Sequence, residues 1–154
     1  LRAVMEKSLL LLRPRLPAED TVTLAVAEDL MFCIDPQRMK QVFINLILNA
    51  LAAGGDGVHI HIQAVAAGPG EWPPSEVLHA LAAGCAQVLG IPAELARGVL
   101  IRVHDDGPGI PADRIGQVFD PFFTTRDPGE AIAVTSPPGE GACFTLWLPC
   151  GEAA

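Results

Sequence analysis

DPQRMKQVFINLILNALAA, residues 35–53, carries the clearest periodicity in the chain. Apolar side chains at Met39, Val42, Phe43, Leu46, Ile47, Ala50 and Leu51 advance alternately by three residues and one, drawing a single wide stripe that needs a partner to cover it. Asp35 offers an N-cap oxygen and Pro36 suits the first helical position, so the spacing predicts a helix running to Gly54-Gly55. Asn45 and Asn49 stand off the stripe. Four residues apart, they lie one above the other on a flank, about 40° apart around the axis. An amide oxygen is a neutral, hard donor of the kind that Mg²⁺ takes alongside water and phosphate. The same two amides would serve equally well as hydrogen-bonding groups for neighbouring loops.

Outward from this helix, helices and strands mix. LRAVMEKSLLLLR at 1–13 places Leu1, Val4, Met5, Leu9 and Leu12 near helical spacing before Pro14 and Pro17, and reads as a lead-in helix. TVTLAVAEDLMFCI at 21–34 reads as two short strands around Ala27-Glu28-Asp29. Val58–Ala64 alternates with period two, and Val99–His104 is a strand suited to pair with it. Residues 65–98 intervene as an insertion, with a helix expected from Ser75 to about Leu89; the insertion is either decoration or a partner surface. A short helix over Pro111–Val118, an aromatic loop FDPFFTTR and a strand pair, Ala131–Thr135 with Cys143–Leu148, complete the pattern. This order predicts an α+β fold, a two-layer α/β sandwich in which helices cover one face of a mainly antiparallel mixed sheet.

The 154 residues suit one domain. The formal charge of -8 and the scattered basic residues argue against direct nucleic-acid binding, which needs clustered Lys and Arg to neutralise phosphates. No apolar run approaches the roughly 18 residues of a membrane helix, so no membrane contact by this domain is expected. Cys33, Cys85, Cys143 and Cys150 form no C-x-x-C pair, which fits inert thiols in a reducing compartment. The chain begins at Leu1 without a signal peptide and is expected to be cut from something longer.

VHDDGPGIP at 103–111 sets two carboxylates before a Gly-Pro-Gly turn. Glycines there would let backbone approach a ligand closely, and Pro108 stiffens the turn. At a strand end with alternating faces, only one of Asp105 and Asp106 need point inward. A buried carboxylate only accepts, so it selects a ligand edge that donates, as the adenine amino group does and the guanine oxygen does not. By itself the pattern fits a surface turn as well.

Taken together, DPQRMKQVFINLILNALAA at 35–53, VHDDGPGIP at 103–111, VFDPFFTT at 118–125 and PPGEGACFTLWLP at 137–149 resemble, in order and spacing, the ATP-binding catalytic domain of sensor histidine kinases. That is the Bergerat-type fold shared with gyrase, mismatch-repair and heat-shock ATPases. The resemblance implies ATP and Mg²⁺ as cofactors, with Asn49 the metal ligand and Asn45 lining the same site. It implies that Asp105 binds the adenine amino group, that Gly107 and Gly109 shape the pocket wall, and that Ile110 packs nearby. FDPFF matches the phenylalanine box beside a mobile lid, which puts Phe123 and Thr124 at the nucleotide, while Phe119 and Phe122 fit core positions equally. Hydrolysing relatives carry a glutamate one turn before the magnesium asparagine. Asn45 stands there instead and cannot take a proton from water, which favours phosphotransfer to a histidine.

The resemblance also implies what lies elsewhere. None of His59, His61, His79 and His104 has a phosphoacceptor context, so the acceptor is expected on an upstream helical dimerisation domain of which residues 1–16 are the tail, with 17–154 as the catalytic domain. A response regulator receiver domain is the implied downstream partner, and the cytoplasm the implied location, whether or not the parent protein is membrane-anchored. One departure bears on the phosphate end: after FFTTRDPGE the family pattern calls for a second glycine-rich box and a helix, whereas Glu130 runs straight into AIAVT. A lid and its helix are expected to be missing at 130–131. A true shortening would instead favour a degenerate domain acting as a protein-interaction module.

Overall fold

The computed structural model describes residues 2–16, 21–27, 30, 35–54, 57–90, 92, 97–117 and 131–149, with backbone alone for Asn49, Ala52, Ala53 and Gly54. Asp35 caps the long helix α2, Pro36–Gly54, as its spacing predicts: Asp35 Oδ1 accepts the Gln37 N–H at 3.0 Å and its carbonyl accepts the Met39 N–H at 3.0 Å. The stripe is buried where it was expected, with Met39, Phe43, Leu46, Ile47 and Ala50 all in the core. The lead-in helix α1, Arg2–Leu12, adds Met5 and Leu12 to the same core, while Leu10 and Leu11 stay exposed.

Among the described residues, six strands form one mixed sheet: β1 (Thr21–Val26), β2 (His59–Ala67), β3 (Ala86–Leu89), β4 (Gly98–Asp105), β5 (Ala131–Thr135) and β6 (Ala142–Pro149), in the order β1-β2-β4-β6-β5-β3. β1 and β2 are parallel, with Thr21 opposite His59. Parallel neighbours need a crossover connection, and α2 is that crossover. The remaining pairings are antiparallel, β2 against β4 with Ile60 opposite Asp105, and β4 against β6 with Asp105 opposite Ala142. Strand alternation then sorts the side chains. Ile60, Ile62, Val99, Ile101, Val103, Phe144 and Leu146 face α1 and α2 and form the main core with them. The α+β, two-layer, mainly antiparallel architecture read from the sequence is therefore the observed one.

The insertion departs from its expectation in an informative way. Its helix α3 spans Ser75–Ala82 and stops well before Leu89. Gly84, at φ 75°, ends it with a Schellman motif, in which the Cys85 N–H reaches the Ala80 carbonyl at 2.8 Å and the Gly84 N–H reaches the Leu81 carbonyl at 3.1 Å. The chain then turns into β3, which pairs with β5 at the sheet edge. The insertion also covers the second face of the sheet: Trp72 packs on Ala67, Leu100, Ala131 and Trp147, and Glu76 meets Arg102 at 2.5 Å. Likewise, in place of the helix expected over Pro111–Val118 there is a turn through 112–114 and a single 3₁₀ turn, Ile115–Gln117, which buries Ile115. The second strand expected within 30–34 falls mostly outside the described residues.

Because the first turn of α2 leans on one side-chain cap, Asp35→Ala should lower stability by about 1 kcal/mol. Urea unfolding followed by circular dichroism measures this, and an unchanged midpoint would show that the cap contributes nothing.

Candidate functional site

The two adjacent aspartates have different fates. Asp106 closes the end of the β2–β4 ladder: its Oδ1 accepts the His59 N–H at 2.8 Å, and its own N–H donates to the His59 carbonyl at 3.2 Å. It is exposed and consumed by structure. Asp105 is the last residue of β4 and only 5% exposed, with the face parity of Val99, Ile101 and Val103, the side of the sheet that α2 covers.

Backbone amides hold the Asp105 carboxylate. Gly107 N–H donates to Oδ1 at 3.0 Å, and the Ala142 N–H on the facing strand also donates to the carboxylate. Burial pushes the Asp105 pKa up, the two backbone hydrogen bonds and the His104 charge oppose that rise, and the Asp106 charge adds to it. An ionised carboxylate has about four lone-pair positions, so two amides leave acceptor capacity for a donating ligand.

Glycines crowd this carboxylate. Gly109 has φ 80°, and a Cβ there would lie 2.7 Å from Ser136 Oγ and 3.0 Å from the Gly141 carbonyl oxygen. Gly141 has φ 71°, and a Cβ there would strike the Asp105 carbonyl and sit 3.3 Å from Asp105 Oδ1. Side chains are excluded at both positions by sterics as well as by backbone conformation. Gly107 plays another part from the one its neighbour plays: it contributes its N–H to Asp105. Ile110 is half-buried against the main core, and its N–H donates to Ser136 Oγ at 2.7 Å.

Gly141 and Ser136 were missed as site residues in the sequence. The signal for Gly141 was present in Gly139-Glu140-Gly141 ahead of β6, which reads only as a turn until its neighbour across the sheet is known. Nothing local marks Ser136.

On the helix, Asn45 is half-buried on the flank of α2, one turn before Asn49, and α2 touches β4. The side chain of Asn49 lies outside the described residues, as do Phe119, Phe122, Phe123, Thr124 and the junction at Glu130. Among the described residues, no group of three or more His, Cys, Asp or Glu side chains could hold a metal ion. No described helix is long and apolar enough to cross a membrane.

Comparison with known proteins agrees with this fold. The family described as "Histidine kinase-, DNA gyrase B-, and HSP90-like ATPase" matches residues 34–152. The sensor histidine kinase ZraS of Escherichia coli (strain K12) is 32% identical over 131 residues, covering 75% of this chain and 22% of that protein. The chain therefore spans about a fifth of the length of such curated relatives. Among solved structures, the nucleotide-free catalytic domain of the histidine kinase ThkA superposes with a TM-score of 0.67 at 22% identity, covering 97% of this chain and 93% of that one. Full-length ShkA in complex with AMPPNP superposes with a TM-score of 0.64 at 20% identity, covering 99% of this chain and 30% of that one. At these identities the structural likeness establishes the fold.

The raised pKa of Asp105 makes a signed prediction. The folded protein holds this proton more tightly than the unfolded chain, so the contribution is greatest below the unfolded pKa, about 4, and is lost as pH rises through the folded value. Asp105→Asn is neutral throughout and should lose less stability than the wild type as pH rises above about 4. Superimposable pH profiles of the urea midpoint would contradict this.

Proposed function

We propose that this chain, which belongs to the histidine kinase-, DNA gyrase B- and HSP90-like ATPase family, binds ATP between the end of β4 and helix α2 as the catalytic domain of a sensor histidine kinase. The observation that carries the reading is Asp105, a buried carboxylate on the helix-covered side of the sheet whose amide partners leave acceptor capacity. Burying a carboxylate is costly unless partners satisfy it, and the hydrogen bonds described for Asp105 are two from backbone amides. A ligand edge that donates completes the set. The exocyclic amino group of adenine does so, whereas guanine would oppose oxygen to oxygen.

In this reading, each residue of the chain has a separate task. Asp105 accepts from the adenine amino group and so sets base choice. The turn at Gly107–Ile110 forms the wall beside it, with Gly109 bare so that the wall can close. Asn49, with Asn45 one turn earlier, would hold Mg²⁺, and the ion would supply charge neutralisation for phosphoryl transfer. Asn45 has no basic lone pair with which to draw a proton from water, so the site favours transfer of the γ-phosphate to a histidine over hydrolysis. Phe123 and Thr124 follow as nucleotide contacts.

The acceptor histidine belongs to an upstream helical dimerisation domain, with residues 1–16 as its tail and 17–154 as the catalytic domain. A response regulator receiver domain takes the phosphate onward, and the cytoplasm, where ATP is available, is the compartment. The AMPPNP bound by ShkA, an ATP analogue, supports the nucleotide; the likeness to ZraS, a sensor histidine kinase, supports the kinase role.

A second reading rests on one sequence observation. Between Thr125 and Ala131 the chain has a single glycine, Gly129. Anions gain most from runs of oriented backbone N–H groups, so a short segment there weakens the phosphate end and favours a degenerate, protein-binding role.

Isothermal titration with a non-hydrolysable ATP analogue separates the two. The kinase reading predicts Mg²⁺-dependent binding, weakened at least about tenfold by Asp105→Ala, as expected for loss of a hydrogen bond to a charged group. Asn49→Ala should remove the Mg²⁺ dependence. Equal affinity in wild type and Asp105→Ala would take Asp105 out of the site, and no binding by the wild type would leave the interaction module.

A further inference from the structure

The geometry points to Ser136 as the positioning residue that sets the Asp105 carboxylate, acting through the two turns beside it without touching the ligand. Ser136 follows β5 directly and is 5% exposed. Its hydroxyl works in both directions: Oγ accepts the Ile110 N–H at 2.7 Å and donates to the Gly141 carbonyl at 2.7 Å. Its backbone N–H donates to the Cys85 carbonyl at 2.9 Å. One small residue therefore joins three segments, namely the turn after β4, the turn before β6, and the insertion where α3 gives way to β3.

Two of those segments are the ones that hold Asp105. The turn after β4 supplies the Gly107 N–H, and the turn before β6 leads into Ala142, whose N–H is the other backbone donor. Spacing at the joint is tight, since a Cβ on Gly109 would come within 2.7 Å of Ser136 Oγ, and one on Gly141 would strike Asp105. A rigid carboxylate discriminates between donor and acceptor edges better than a mobile one, because a mobile one can turn away from a repulsive oxygen and recover water. Serine fits the joint for a reason of size as well. Alanine fills nearly the same space but leaves the Ile110 N–H and the Gly141 carbonyl without this partner.

The insertion thereby gains a part in the site. Through Cys85, the insertion, which the sequence left as decoration or a partner surface, anchors the backbone of the residue that fixes the base-reading carboxylate. The selectivity part of this proposal rests on the nucleotide reading above, whereas the positioning part does not.

The test uses the 154-residue chain as wild type, Ser136→Ala, Ser136→Thr, Asp105→Asn and the Ser136→Ala/Asp105→Asn double variant. Ser136→Cys, which keeps the shape and weakens both hydrogen bonds, stands in should the alanine variant fail to fold. Amide hydrogen exchange without nucleotide is the first readout. Loss of protection at Ile110 follows from any removal of the hydroxyl, so the diagnostic amide is Gly107, whose partner is Asp105. Its exchange should quicken about three- to tenfold in Ser136→Ala and return toward wild type in Ser136→Thr. The second readout is the affinity ratio for non-hydrolysable ATP and GTP analogues. Ser136→Ala should shrink that ratio about three- to tenfold, with no further change in the Asp105→Asn background. Unchanged Gly107 exchange in a folded variant, or an ATP-to-GTP ratio equal to wild type, overturns the proposal. Failure of the wild type to bind either nucleotide would sink the functional reading instead, and the exchange result would still decide the positioning role.

Discussion

A carboxylate buried at the end of a strand and held by two backbone amides is the constraint around which this end of the molecule is organised. Gly107 and Ala142 both present N–H groups to the Asp105 carboxylate. One amide comes from the turn after β4 and the other from the first residue of β6, and the close approach there forbids side chains at Gly109 and Gly141. Burial raises the free energy of the ionised form, so the arrangement sacrifices some stability above the ordinary aspartate range. A site that holds an ionisable group in an unfavourable setting is a candidate for function on physical grounds, and its position on the helix-covered side of the sheet indicates where a ligand would enter.

The rest of the fold supplies the frame. α2 serves both as the crossover that makes β1 and β2 parallel and as the main cover of the core, so the helix that carries Asn45 and Asn49 is pinned by Phe43, Leu46 and Ile47. α2 packs directly on β4, the strand that ends in Asp105. On the opposite face, Trp72 of the insertion covers Trp147 and Leu100. Two cores, one on each side of β4 and β6, thus immobilise the strands from which the site is built.

How much of this was legible follows from what each feature depends on. The α2 stripe, the Asp35 cap and the alternation of β2 are local, and all three could be read directly from spacing. That only one of two neighbouring aspartates need point inward was also readable, the family resemblance picked Asp105, and the strand does end at Asp105 and leaves Asp106 to cap His59. The end of α3 was misread because Ala82, Ala83 and the apolar run after Gly84 continue a helical composition, and the Schellman turn outweighs that propensity. β3 was unreadable because its reason to be a strand is the free edge of β5, far along the chain. Ser136 was hidden for the same reason: its partners Ile110 and Gly141 are brought to it by the fold, and serine before Pro-Pro-Gly otherwise suggests nothing but a turn.

If Asp105 is a buried acceptor for a donating ligand edge, its own ionisation must report the ligand's arrival. Carboxyl-carbon NMR of Asp105 titrated against pH, first alone and then with a saturating ATP analogue, tests this most directly. The expected result is a pKa above the ordinary aspartate value in the free protein, driven by burial, and a fall on adding the analogue as the base donates to the ionised form. An ordinary pKa that the nucleotide leaves unmoved would contradict it.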